Sequence, residues 1–173
     1  MNDQRKKNND ASSAILIAED DADQKDLLID FAVSQVKRAL EDITLNDEQR
    51  NKLNSIQIIS VADIATLKKA VSINKNVLLA ILDCNLPDTK DSPSHDQFIK
   101  TNHRITGQHK AVDIVIKSLP NTPITMISSL HRFQKIISVF YKKEFDLDIN
   151  FISKNDPSTI RRNVRYYLKQ YLK

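Results

Sequence analysis

The sequence has one cysteine, one glycine and no tryptophan in 173 residues, and it has no long apolar run. A single cysteine, Cys84, cannot form a disulfide within the chain, which favours a reducing compartment. Apolar runs such as Val77 to Leu82 are far shorter than the roughly 20 residues that cross a bilayer. The polar start, Met1 to Ser13, lacks the apolar core of a signal peptide. We therefore expect a cytoplasmic protein without a membrane segment.

The formal net charge is +4, and the positive surplus lies near the end of the sequence. From Lys154 onward there are six basic residues and only one acidic residue, Asp156. Such a basic helix could contact nucleic acid or an acidic partner. A solvated helix face is the simpler interpretation, and we expect no direct nucleic-acid binding.

The length suits one well-buried core rather than two. We expect a disordered tail over residues 1–13 and a single domain over residues 14–173. Short apolar runs alternate with helical patterns throughout that domain. The runs predicted to be strands are Ala14–Ala18, Ile56–Val61, Val77–Leu82, Ile124–Ile127 and Ile149–Ser153.

Two of these runs are continuously apolar, which is typical of parallel strands that are covered on both faces. Apolar residues at helical spacing occupy the intervals Leu28–Ile43, Ile64–Val71, Val112–Leu119, Phe133–Phe140 and Ile160–Leu172. Right-handed crossovers then predict an α/β doubly wound fold, (βα)5, with helices on both faces of a five-stranded parallel sheet. The common order for such a sheet is 2-1-3-4-5, as in flavodoxin-like folds.

Two stretches exceed the usual connection of about 2 to 6 residues. Asn46 followed by Gln49 resembles a capping box and predicts a short extra helix that reaches Leu53. Residues 88–107 are polar and form an extended loop in this interpretation.

Polar side chains follow four of the five predicted strands. Glu19, Asp20 and Asp21 follow the first strand, and Asp83, Ser128 and Lys154 follow the third, fourth and fifth. The carboxyl ends of parallel strands meet at one edge, where ligands bind. Carboxylates, a hydroxyl and an ammonium at this edge indicate a site for a divalent cation and a phosphoryl group.

Taken one at a time, these residues have simpler explanations. The acidic triplet could be a helix N-terminus, because acids favour the first turn, and Ser128 or Lys154 could be ordinary surface groups. Cys84 is interpreted as inert packing. The histidines His95, His103 and His109 lack a cysteine or tight ligand spacing, so we expect solvated loop residues rather than a metal site.

Four segments resemble the motifs of the receiver domain of bacterial response regulators, and they occur in that family's order. They are ILIAEDD from Ile15, ILDCNLPD from Ile81, PITMISS from Pro123 and FISK from Phe151, and Gly107 matches the family's glycine at the third helix. The resemblance implies that Asp83 accepts a phosphoryl group from a phosphohistidine donor.

The resemblance also implies roles for the neighbouring residues. The carboxylates of Glu19, Asp20 and Asp83 and the backbone carbonyl of Asn85 would hold Mg2+ or Mn2+. Ser128 would bond a phosphoryl oxygen, Lys154 would neutralise another, and Phe151 would be the aromatic switch residue.

The function that follows is that of a single-domain response regulator receiver, a phosphoacceptor rather than an enzyme with a separate substrate. Its partners would be a histidine kinase or phosphotransfer protein and a downstream protein, and a homodimer is an open alternative. The competing hypothesis is a pseudo-receiver, which binds a protein constitutively and is not phosphorylated. Asn155 stands where the family has a proline after the lysine, which predicts a trans peptide bond there.

Overall fold

The apolar runs pair side by side as one parallel sheet. In a computed structural model that describes residues 12–89, 109–129 and 134–173, the order is β2-β1-β3-β4-β5. The strands are β1 Ala14–Ala18, β2 Gln57–Val61, β3 Val77–Asp83, β4 Ile124–Ser128 and β5 Asn150–Ser153. The predicted fold class and strand order are therefore confirmed.

Helices connect the strands and cover both faces of the sheet. Within the described residues they are α1 Ala22–Leu40, α2 Asp47–Asn54, α3 Ile64–Ile73, α4 Lys110–Ser118, α5 Gln134–Phe145 and α6 Pro157–Tyr171. The sheet separates two hydrophobic cores, and successive side chains of β1 point alternately into one core and the other. Leu16 contributes to the core beneath α3, α4 and α5, whereas Ile15 and Ile17 contribute to the core beneath α1, α2 and α6.

The extra helix α2 begins with the predicted capping box. The Asn46 side chain accepts from the Gln49 backbone N–H at 2.8 Å, and the Gln49 side chain accepts from the Asn46 N–H at 3.1 Å. Leu53 is fully buried and anchors this helix in the core. Arg50 donates to the carbonyls of Leu40 and Asp42, which satisfies the end of α1.

The first helix ends earlier than its apolar pattern predicts. Ile43 was expected on its buried stripe, but α1 stops at Leu40 and the Ile43 side chain is 91% exposed. The cause is local: the Asp42 carboxylate accepts from both the backbone N–H and the hydroxyl of Thr44. Such a turn competes with continuation of a helix.

The fifth helix packs largely through the expected stripe, since Ile137 is buried and Phe140 packs against the core, but Tyr141 joins that stripe and Ile136 leaves it. Ile137 and Tyr141 are buried, while Ile136 is 43% exposed. Apolar side chains surround most of this helix, so their spacing alone does not fix the edge of the packed face.

Ser13 belongs with the sheet rather than with the tail expected from the sequence. It is buried, its carbonyl accepts from Gln57, and its hydroxyl donates to Tyr171 at 2.7 Å. The other expectations for the tail, and those for residues 90–108 and Phe133, fall outside the described residues. No helix in the described ranges is both long and apolar enough to span a membrane.

Candidate functional site

The sheet brings the predicted site residues to one edge. Ala18 pairs with Leu82 and Asp83 pairs with Ile127, so Glu19 follows β1 beside the end of β3. Ser128 pairs with Ser153, and the Lys154 backbone N–H donates to the Ser128 carbonyl at 3.1 Å. Parallel register therefore places three acids, a hydroxyl and an ammonium at neighbouring strand ends.

Lys154 links two of the buried carboxylates. Its Nζ lies 2.9 Å from Glu19 Oε1, 2.8 Å from Glu19 Oε2 and 3.2 Å from Asp83 Oδ1. The described residues include no cis peptide bond, so the Lys154–Asn155 bond is trans, as predicted from the absence of a proline at Asn155. Lys154 thus reaches the acids without the proline.

Burial makes ionisation of these acids costly. Glu19 has no exposed surface and Asp83 is 1% exposed. Burial, then repulsion from Asp83, raises the pKa of Glu19 to about 7, although Lys154 opposes the shift. Burial likewise raises the pKa of Asp83 above its usual value, while Lys154 lowers it. The site therefore holds protons on its acids more readily than exposed carboxylates do.

Lys154 shows the opposite response. Burial lowers the pKa of its ammonium, but Asp83 and Glu19 together outweigh burial and hold the pKa above its ordinary value. It therefore stays charged at neutral pH and supplies the positive charge of the site in this state.

The acidic triplet after β1 divides into separate roles. Asp21 caps α1, since its carboxylate accepts from the Gln24 backbone N–H at 2.9 Å. The Asp21 backbone N–H donates to Glu19 at 3.2 Å. Glu19 and Asp20 face the site with Asp83, and one carboxylate oxygen from each lies within 4.8 Å of the others. The capping and site interpretations of this triplet therefore both apply, to different residues.

The three carboxylates fit a hard divalent cation. Glu19 Oε2 and Asp83 Oδ1 are buried, and neither has a well-aligned hydrogen bond within the described residues, despite the nearby ammonium. Mg2+ and Mn2+ prefer oxygen ligands. Buried carboxylate oxygens with unused lone pairs meet that preference, and Asn85, directly after the turn residue Cys84, is half-buried beside them.

Ser128 and Cys84 lie beside Asp83, and Phe151 lies on β5, three residues before Lys154. Ser128 is 3% exposed at the end of β4. Phe151 is half-buried and packs against the core beneath α3, α4 and α5. Burial raises the pKa of the Cys84 thiol to about 12, so it remains protonated, consistent with a packing residue.

One buried side chain beside the site was misjudged from the sequence. His109 was expected to be a solvated loop histidine, but it has no exposed surface and contacts the Cys84 carbonyl through Nε2 at 3.0 Å. A signal was present, because His109 lies three residues before Val112 and six before Val115, which continues the buried stripe of α4 backwards. His95 and His103 lie outside the described residues.

Comparison with known proteins finds similar solved structures but no matching sequence family. No protein-family model matches the chain, and no curated protein sequence matches it significantly. The crystal structure of a response regulator receiver protein from Sinorhizobium medicae WSM419 is similar, with a TM-score of 0.52 and 16% identity over 91% of this chain and 95% of that one. The non-phosphorylated receiver domain of the stress response regulator RcsB from Escherichia coli gives 0.48 and 14%, over 92% and 95%.

At this level of identity, similarity establishes the fold. The chain has the flavodoxin-like fold of response regulator receiver domains, with five parallel strands in the order 2-1-3-4-5.

Proposed function

We propose that the chain is a phosphoacceptor signalling domain in which Asp83 takes a phosphoryl group from a phosphohistidine. The observation that supports this proposal most directly is the position of Asp83. Its buried carboxylate ends β3, 3.2 Å from an ammonium, in a cluster with Glu19 and Asp20. A buried carboxylate beside fixed charges is suited to covalent catalysis through an acyl phosphate.

The chemistry of the transfer assigns a task to each side chain. An oxygen of the Asp83 carboxylate attacks phosphorus, the P–N bond breaks, and its electron pair goes to the donor imidazole nitrogen, which takes up a proton. Lys154 neutralises one phosphoryl oxygen, and the Ser128 hydroxyl donates to another. Glu19 and Asp20 form no covalent bond in this scheme and contribute only positioning and charge.

A divalent cation belongs to this proposal. Glu19, Asp20 and Asp83, with the backbone carbonyl of Asn85, would hold Mg2+ or Mn2+. When bound, the cation would offset the charge of the acids and of the incoming phosphoryl group. Lys154, now shared between Glu19 and Asp83, would then be available to the phosphoryl group.

The partners follow from the same chemistry. The donor would be a histidine kinase or a phosphotransfer protein, and the output would pass to a downstream protein or to a second copy of the chain. We infer a signalling domain that catalyses only its own phosphorylation and dephosphorylation.

Acetyl phosphate with Mg2+, followed by intact mass measurement, tests the proposal. One adduct of about 80 Da should form, stable in acid and labile in base, as expected for an acyl phosphate. Asp83→Asn should abolish it. Asp88→Asn is the matched control, because Asp88 is an exposed aspartate five residues away that pairs with Lys110, and it should leave the adduct intact.

One observation favours the second candidate, a pseudo-receiver that binds its partner constitutively. Lys154 already contacts both oxygens of Glu19, so the acids are partly neutralised without a metal ion. If no small-molecule or protein donor modifies the chain, or if the adduct persists in Asp83→Asn, the phosphoacceptor assignment is wrong.

A further inference from the structure

The ring of His109 lies against the turn that follows β3. His109 occupies the position before α4, yet its side chain makes no capping hydrogen bond to that helix. The ring instead places Nε2 3.0 Å from the Cys84 carbonyl oxygen. Because a carbonyl oxygen only accepts, Nε2 carries the proton and donates.

The peptide group that receives this bond also contacts Asp83. The Cys84 carbonyl and the Asn85 N–H belong to one peptide unit, two residues from the Asp83 carboxyl, and the Asn85 N–H is among the groups that lower the pKa of that carboxyl, so it faces the carboxylate. A trans peptide unit is planar, so its C=O and N–H groups point in opposite directions and reorient together. A hydrogen bond at the carbonyl therefore fixes the direction of the N–H that holds the carboxylate.

The same bond strengthens the N–H as a donor. Hydrogen bonds in series polarise one another, and the effect is larger in a buried, weakly screened environment. Here the series runs from His109 through the Cys84–Asn85 peptide to Asp83. The other side of Cys84 is also fixed, since its N–H donates to the Ile127 carbonyl at 3.0 Å.

The backbone of His109 is itself held in place by a buried tyrosine. The His109 N–H donates to Tyr141 Oη at 2.7 Å, and that hydroxyl lies 2.5 Å from Asp113 Oδ1, to which it donates. Tyr141 is fully buried on α5. The His109 backbone is therefore held by α5 at the start of α4, and from that position the buried ring contacts the Cys84 carbonyl.

We propose that His109 is a positioning residue for Asp83, because it holds the Cys84–Asn85 peptide so that the Asn85 amide donates to the carboxylate. This proposal rests on the proposed role of Asp83 as phosphoacceptor. It assigns His109 no contact with the phosphoryl group and no proton transfer.

The decisive variants are His109→Gln and His109→Asn. The Gln amide nitrogen matches the reach of Nε2, whereas the Asn amide is too short to reach the Cys84 carbonyl. His109→Ala removes the donor altogether. Val115→Ala, a buried position on the same helix, is the control for loss of stability alone.

Two readouts are measured in each variant. The first is the proton chemical shift of the Asn85 amide by 15N NMR, and the second is the rate of adduct formation at saturating acetyl phosphate and Mg2+. We expect His109→Ala and His109→Asn to move the Asn85 proton upfield and to slow adduct formation about tenfold, as for the loss of one positioning hydrogen bond. His109→Gln should restore both, and Val115→Ala should change neither.

Other results would overturn the proposal. If Gln is as impaired as Asn, or if Val115→Ala shifts the Asn85 proton equally, His109 is only a packing residue. The Gln and Asn pair decides the matter even if His109→Ala does not fold. A wild-type chain that forms no adduct would refute the phosphoacceptor function, whereas the Asn85 shift would still decide whether His109 positions the peptide.

Discussion

The raised pKa of Glu19 predicts that the metal-free protein becomes less stable as the pH rises. The pKa of this carboxyl is about 7 in the folded chain against 4.5 for an ordinary glutamate. Between those values the folded state keeps a proton that the unfolded state has released, so stability falls with increasing pH. At about 1.4 kcal/mol per pKa unit, the loss across this window is about 3 kcal/mol.

Urea unfolding at several pH values from 5 to 8, with a chelator present, measures this loss. Glu19→Gln has nearly the same shape and cannot ionise, so it serves as the reference. Groups remote from the site cancel in the difference between the two proteins, whereas Asp83, which repels Glu19, contributes to that difference. We expect the free energy of unfolding of the variant to exceed that of the wild type increasingly as the pH rises to 7.

Excess Mg2+ should reduce the difference, because a bound cation favours the ionised acid. The reasoning would be refuted by parallel pH profiles for the wild type and Glu19→Gln in the absence of metal. It would also be refuted by a difference of the opposite sign.

Four further predictions follow from particular contacts. Asp20→Ala removes a proposed metal ligand and a repelling charge, so it should weaken Mg2+ binding in calorimetry and raise the melting temperature of the metal-free protein. Unchanged Mg2+ affinity would contradict the proposed metal site. Leu53→Ala opens a cavity under α2 and should cost about 3 kcal/mol in urea unfolding, with Mg2+ affinity unaltered; a variant of wild-type stability would show that α2 is not anchored by this residue. Asp156→Ala should lower the melting temperature at pH 7, because it deletes the N-terminal cap of α6. Hydrogen bonds from Thr159 and Ser158 lower the pKa of Asp156 to about 2, so the difference in melting temperature between variant and wild type should vanish as the pH falls through about 2. A difference that stays constant with pH would exclude the carboxylate as its source. Replacing residues 91–106 with a short Gly/Ser linker should leave the melting temperature nearly unchanged, since closure entropy varies slowly with loop length, and the adduct on Asp83 should persist; loss of folding would show that the segment supplies core.

The strand order and the residues at the carboxyl edge of the sheet could be predicted because they depend on patterns that recur along the sequence. Continuous apolar runs predicted parallel strands, and the handedness of crossovers restricted their order. Once the order is set, residues after β1, β3, β4 and β5 must be neighbours. Glu19, Asp83, Ser128 and Lys154 could therefore be brought together without knowledge of any side-chain contact.

Single polar residues within the packing could not be predicted in this way. Tyr141, Asn163 and His109 are buried because particular partners satisfy them: the Asn163 side chain, for example, accepts from the Thr125 hydroxyl at 2.9 Å. A sequence pattern treats such residues as exposed, since their burial depends on hydrogen bonds between distant elements. Arg161, one of the basic residues expected on a solvated helix face, is exposed, but its contact with an aromatic ring could not be predicted: its guanidinium lies 4.3 Å from the centroid of the Phe31 ring.

The charge of the site implies that the proposed metal and phosphoryl chemistry would be coupled to protonation of the acids. Three clustered carboxylates face one ammonium, so full ionisation leaves an excess of two negative charges in a largely buried space. A proton on Glu19 reduces that excess in the metal-free state, and a divalent cation would cancel it. A phosphoryl group on Asp83 would remove the carboxylate charge but add up to two negative charges of its own. The proposed acyl phosphate therefore depends more strongly on a compensating cation than the unmodified site does, and the proton on Glu19 is the competitor that the cation must displace.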